Sequence, residues 1–232
     1  MSLNLLSGGA AQGLVLQLQA RFEAETGAKL QARFGAVGAM KEALLAGEPC
    51  DVFLVTDSMI DALTSDGLLQ AGTKAALGGV ATAIAVRKGE PVPDVSNAEA
   101  LASALAGASA LYAPDPERAT AGIHFAGVLR KLGLHEALTA RFCSFPNGAA
   151  AMRALAASHG ANEIGCTQAS EILRTEGLVL VGPLPAPFEL TTVYSAAATA
   201  STRHGELAGR LIALLSGQDA QALGLAAGFS ND

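Results

Sequence analysis

From Leu3 onward, short apolar runs and helical patterns alternate for nearly the whole chain. That order leaves few folds open. Strands separated by helices pair mostly in parallel, with the helices packed over the sheet. The first run (3–6) ends in Ser7-Gly8-Gly9 and leads into a helix pattern with Leu14, Val15, Leu18 and Phe22 on one face, stopped by Gly27. "KLQARF" alternates as a second strand. "DVFLVT" (51–56) is continuously apolar, as expected of a parallel strand covered on both faces. Further strands are expected at 80–86, 110–114, 141–145 and 163–167, then in "LVLVGPL" and "LTTVYSAAAT", and closing helices near 206–215 and 219–226. Ser96 with Glu99 reads as a capping box for a helix through Leu101 and Leu105. The expected fold is α/β, with mostly parallel sheets in two lobes. Residues 1–80 plus 192–232 form lobe I and residues 81–191 form lobe II, with the C-terminal segment completing the first.

Composition removes several functions. Fifteen Lys and Arg stand against 21 Asp and Glu, giving a net charge of −6 with no basic block, so nucleic acid is not an expected partner. No uninterrupted apolar stretch of about 20 residues is present, so no membrane span is expected. Cys50, Cys143 and Cys166 are far apart and read as free thiols; one disulfide stays open, and no zinc or other metal site is expected. No leader pattern is visible, and Met1-Ser2-Leu3 reads as standing where a leader was removed.

Four turns share one design: each follows a strand, is small and flexible, and opens a helix. They are Ser7-Gly8-Gly9-Ala10, Gly35-Ala36-Val37-Gly38, Thr120-Ala121-Gly122 and Asn147-Gly148-Ala149. A helix start offers unpaired N–H groups and the positive end of the dipole, and small residues let a ligand reach them. Such ends at the carboxyl edges of parallel strands suit an anion. Nucleotide binding is not supported, because "SGGAAQG" matches neither a Walker A pattern nor G-x-G-x-x-G.

The segments "LNLLSGGAAQGL", "AGEPCDVFLVTD", "APDPERATAGIHFAGVLRKLG", "NEIGCTQASEI" and "LGLAAGFS" carry a resemblance across nearly the full length. On these residues the chain resembles the periplasmic molybdate-binding proteins, the substrate-binding components of ABC transporters. The resemblance implies a type II solute-binding protein with two lobes, a hinge, and an oxyanion held in the cleft between them. It implies a periplasmic monomer that needs no cofactor and works with a permease; a cytoplasmic location is the alternative. The family's gripping hydroxyls are largely missing. Ala10 stands where a family serine falls, with Ser7 just before it; Val37 replaces a second serine and Gln168 a tyrosine, while Ala121 keeps a backbone donor. An organic carboxylate thereby becomes an alternative to molybdate. Arg118 and Thr120 are placed to bind one, although Arg118 also reads as a solvated loop residue.

The same broad family includes proteins resembling aconitate isomerases. Shifting an allylic proton needs a positioned base. His124 is the candidate, on the first helical turn, where the dipole favours the neutral ring. A packed structural histidine is the competing reading. Glu171 and Glu189 are alternative acids, each read as a solvated surface residue, and His135, His159 and His204 read as surface residues at helix ends.

Overall fold

A computed structural model describes residues 1–230; Asn231 and Asp232, the end of the expected lobe I segment, lie outside the described residues. The chain divides into two compact units, one of Met1–Val80 with the segment from Thr192, the other of Ala81–Thr191.

In the first unit β1 (Ser2–Gly8) pairs in parallel with β2 (Lys29–Gly35) and with β3 (Val52–Thr56). Antiparallel β9 (Thr191–Ala198) extends the sheet beyond β3. Every residue of β3 is buried, as its unbroken apolar sequence requires of a strand covered on both faces. The helices are α1 (Gln12–Thr26), α2 (Val37–Leu45), α3 (Asp57–Ser65), α9 (Gly205–Ser216) and α10 (Gln218–Ala226). The expected stripe of Leu14, Val15, Leu18 and Phe22 is the buried face of α1. Gly27 ends that helix at φ 69°, a left-handed conformation that glycine adopts without strain. The two-residue strand β10 (Phe229–Ser230) pairs with the start of β4 (Ala75–Arg87), the strand through which the chain enters the second unit.

In the second unit β5 (Ala110–Pro114) lies between β6 (Phe142–Phe145) and β7 (Glu163–Gln168), parallel to both. The later part of β4 runs antiparallel to β7, and β8 (Leu178–Pro183) runs antiparallel to β4. The sheets therefore have parallel centres with antiparallel additions. Around this sheet stand α4 (Ala98–Gly107), α5 (Thr120–Lys131), the single turn α6 (His135–Leu138), α7 (Gly148–Ala157) and the short α8 (Ala169–Leu173). Ile84, Leu101, Leu105, Leu111, Phe125 and Ile164 join in one apolar core.

Two expectations need correction. The cap of α4 is Asn97, not Ser96: the Asn97 side chain accepts the N–H groups of Glu99 and Ala100 at 3.0 and 2.9 Å. An Asn carbonyl one residue closer to the helix meets both donors, so the Ser96–Glu99 box has no role to fill. The α6 turn was not expected, because four residues carry no helical period. The three cysteines are free, with Cys50 and Cys166 buried and Cys143 half-buried.

Candidate functional site

The parallel register of the first unit sets Gly8 opposite Gly35, so β1 and β2 end side by side. Each then turns into a helix, β1 through a 3-10 turn (Gly9–Ala11) into α1 and β2 through Ala36 into α2. Neither start has a side-chain cap. Ser7, Gly8, Gly9, Ala10, Ala36, Val37 and Gly38 are thus brought to one strand edge. Ser7 is fully buried and its hydroxyl donates to the Gly8 carbonyl at 3.0 Å. Tyr194 of β9 lies beneath this edge: a Cβ at Gly8 would come within 3.1 Å of its ring and 3.4 Å of Val37. Sequence reading missed Tyr194, although it is one of only two tyrosines in a chain without Trp.

In the second unit β6, β5 and β7 point the same way, which places the starts of α7, α5 and α8 at one carboxyl edge. Asp115 shapes the approach to α5, its side chain accepting the N–H of Glu117 at 2.7 Å and of Arg118 at 3.2 Å. Ala119 caps α5 without a side-chain bond. Thr120 is half-buried; Ala121 and Gly122 are buried in the first turn. A Cβ at Gly122 would sit 2.3 Å from the Asp115 carbonyl oxygen and 2.4 Å from that of Pro114. Glycine is therefore what lets α5 start against the end of β5. Arg118 is an exposed residue of the approaching loop.

His124 is half-buried, and its Nε2 lies 2.7 Å from the Phe188 carbonyl oxygen. A carbonyl can only accept, so Nε2 is the donor in this bond and Nδ1 is the nitrogen it leaves over. The packed reading of His124 is thus realised at one nitrogen, and only Nδ1 can take a proton. His135 and His159 are exposed and His204 is half-buried.

Asn147 caps α7, its side chain accepting the Ala150 N–H at 2.9 Å. Gly148 and Ala149 behind it are buried, as is Gln168, the residue from which α8 starts. Glu171 departs from expectation. It is 5% exposed, whereas Glu189 lies on the surface as expected. Thr167 Oγ1 donates to Glu171 Oε2 at 2.6 Å, and the carboxyl also accepts the backbone N–H groups of Ala149 and Gln168. Burial pushes the Glu171 carboxyl up, partly offset by these bonds and by the charge of Arg174. The physical reason for the miss is that α7 and α8 close over a carboxyl that helix periodicity alone would leave in water. No group of three or more His, Cys, Asp and Glu is arranged to hold a metal ion among the described residues.

These edges offer backbone donors with little fixed charge, an arrangement suited to a small anion. The chain is 30% identical to an aconitate isomerase of Pseudomonas sp over 225 residues, covering 94% of this chain and 84% of the relative. Its fold is that of the periplasmic molybdate-binding protein of Azotobacter vinelandii, with 23% identity, 99% of each chain covered and a TM-score of 0.80. A sulfate-binding protein of Mycobacterium tuberculosis H37Rv is similar at 17% identity, covering 99% of this chain and 86% of that one, with a TM-score of 0.77. The family model described as bacterial extracellular solute-binding protein matches residues 3–230, and the chain belongs to that family.

Proposed function

We propose that the protein is an extracytoplasmic solute-binding protein of an ABC transporter that captures a small anion through backbone amides at helix starts. The observation that carries this reading is the carboxyl edge of the second unit, where α5 begins without a side-chain cap on buried Ala121 and Gly122. The uncapped starts of α1 and α2 supply the same kind of donor in the first unit. Ser7 supports an organic anion over a molybdate-like one, because its hydroxyl is turned to the Gly8 carbonyl, and Ala10, Val37 and Gln168 bring none of their own. Arg118 and Thr120 are then the groups for a carboxylate. Periplasmic location and a permease as partner accompany the reading.

A thermal-shift screen with molybdate, tungstate, sulfate, citrate and trans-aconitate tests it. A ligand at 100 times its Kd adds about 2.7 kcal/mol of stability. Stabilisation by the carboxylates alone supports the organic anion; stabilisation by molybdate and tungstate alone overturns it; a flat screen overturns anion capture by this panel.

The 30% identity to an aconitate isomerase favours a second reading, an enzyme shifting a proton on a tricarboxylate. His124 Nδ1 would then be the base, since Nε2 is committed to Phe188. Incubation with trans-aconitate, followed by NMR for the cis isomer, decides. Turnover lost in His124→Ala supports the base, and turnover surviving that change rejects it.

A further inference from the structure

Glu171 puts an acid where the anion-capture reading needs only donors. Its carboxyl holds the N–H groups of Ala149 and Gln168, two residues at helix starts of that same strand edge. A Cβ at position 148 would fall 1.9 Å from Glu171 Oε2 and 2.1 Å from Thr167 Oγ1, so the first turn of α7 rests directly on the acid and its hydroxyl partner. The cluster is closed: Glu171 is 5% and Thr167 0% exposed.

We propose that Glu171 takes up a proton when an anion docks at the helix starts of the second unit, so that capture is coupled to protonation. The inference rests on the anion-capture reading and identifies the group that regulates that site. An ionised Glu171 already places one negative charge on the amides of Ala149 and Gln168, at the same carboxyl edge as the start of α5. A second anion on the same edge is repelled by that charge, and the burial of Glu171 weakens the screening of it. A neutral carboxyl removes the repulsion and still accepts the amides through its carbonyl oxygen. The proton has a place without rearrangement: Thr167 Oγ1 donates to the ionised carboxyl and accepts from the protonated one across the same 2.6 Å.

Burial already raises the acid towards the neutral form. The elements packed on α8 carry few other charges. α7 contributes Arg153, which is exposed, and β7 contributes Glu163 at its far end and the buried thiol Cys166. The sequence of β8, LVLVGP, has no titratable side chain. Arg174, just after α8, acts on Glu171 and favours its ionised form.

Calorimetric titration of the full chain with molybdate, sulfate and trans-aconitate, in two buffers of different protonation heat, counts the protons exchanged. Uptake of up to one proton per anion is expected, with affinity falling by as much as about tenfold per pH unit as pH rises above the free acid's pKa. Glu171→Gln keeps the shape and an acceptor oxygen, and should lose both the uptake and this slope. Any step due to His124 persists in that variant. The wild-type titration stands without the variant, should Glu171→Gln fold poorly. Binding with no proton exchange from pH 5 to 9, or exchange unchanged in Glu171→Gln, overturns the proton role and leaves anion capture intact. If none of the three anions binds, capture of this class of anion fails and the coupling fails with it.

Discussion

Gly148 and Gly35 both sit tightly against side chains, yet replacing them should not cost the same. A Cβ at Gly148 meets Glu171 Oε2 at 1.9 Å and Thr167 Oγ1 at 2.1 Å, two atoms held in a buried bond. A Cβ at Gly35 meets the Met40 methyl at 2.7 Å, the far end of a flexible chain that can swing aside. Gly148→Ala should therefore destabilise by about 1–3 kcal/mol and Gly35→Ala by less than about 1 kcal/mol, read from urea midpoints. Equal losses would mean that the α7 start can lift off Glu171 freely. Both glycines were visible in the sequence as turn residues. What they rest on was not, because the contact partners of Gly148 lie 19 and 23 positions further along the chain.

At the scale of elements, the alternation of apolar and helical stretches was legible because each strand and helix carries its own period. β3 and the buried face of α1 are cases where burial follows that period residue by residue. Helix ends are harder to read, since neighbouring polar residues compete for the same amides. In the pair Ser96-Asn97 it is Asn97 that takes the amides of Glu99 and Ala100. Asn97→Ala should cost about 1 kcal/mol and Ser96→Ala less than about 0.5 kcal/mol by urea denaturation. The reverse order would restore Ser96 as the cap. The antiparallel runs of β4, β8 and β9 were unreadable for a different reason. Direction within a sheet depends on how the chain returns, and an apolar run carries no sign of it.

For the molecule as a whole, order of elements and resemblance pointed to the family, while the electrostatic roles of its acids needed the fold. Two buried glutamates of the second unit titrate in opposite directions. Burial raises Glu163, but bonds from Ser158, Arg87 and Tyr112, the last at 3.1 Å, outweigh it and hold the carboxyl below its usual range. Burial raises Glu171 and its bonds do not overcome it. A depressed acid stabilises above its unfolded pKa of about 4.3, and that contribution disappears as pH falls through the folded value. A raised acid does the reverse: its contribution is complete below the unfolded pKa and disappears as pH rises through the folded value. Melting temperatures of the ligand-free protein should accordingly diverge. Glu163→Gln should lie well below wild type at pH 7 and approach it towards pH 3, because Arg87 loses a charged partner only while Glu163 is ionised. Glu171→Gln should gain on wild type as pH climbs from 5 to 9, since in wild type alone the unfolded chain then ionises a carboxyl that the fold holds towards its neutral form. Parallel curves for Glu171→Gln and wild type across that range would mean that Glu171 is ionised in the folded protein just as in the unfolded chain, and an acid that the fold does not hold towards its neutral form removes the basis on which anion capture is proposed to protonate it.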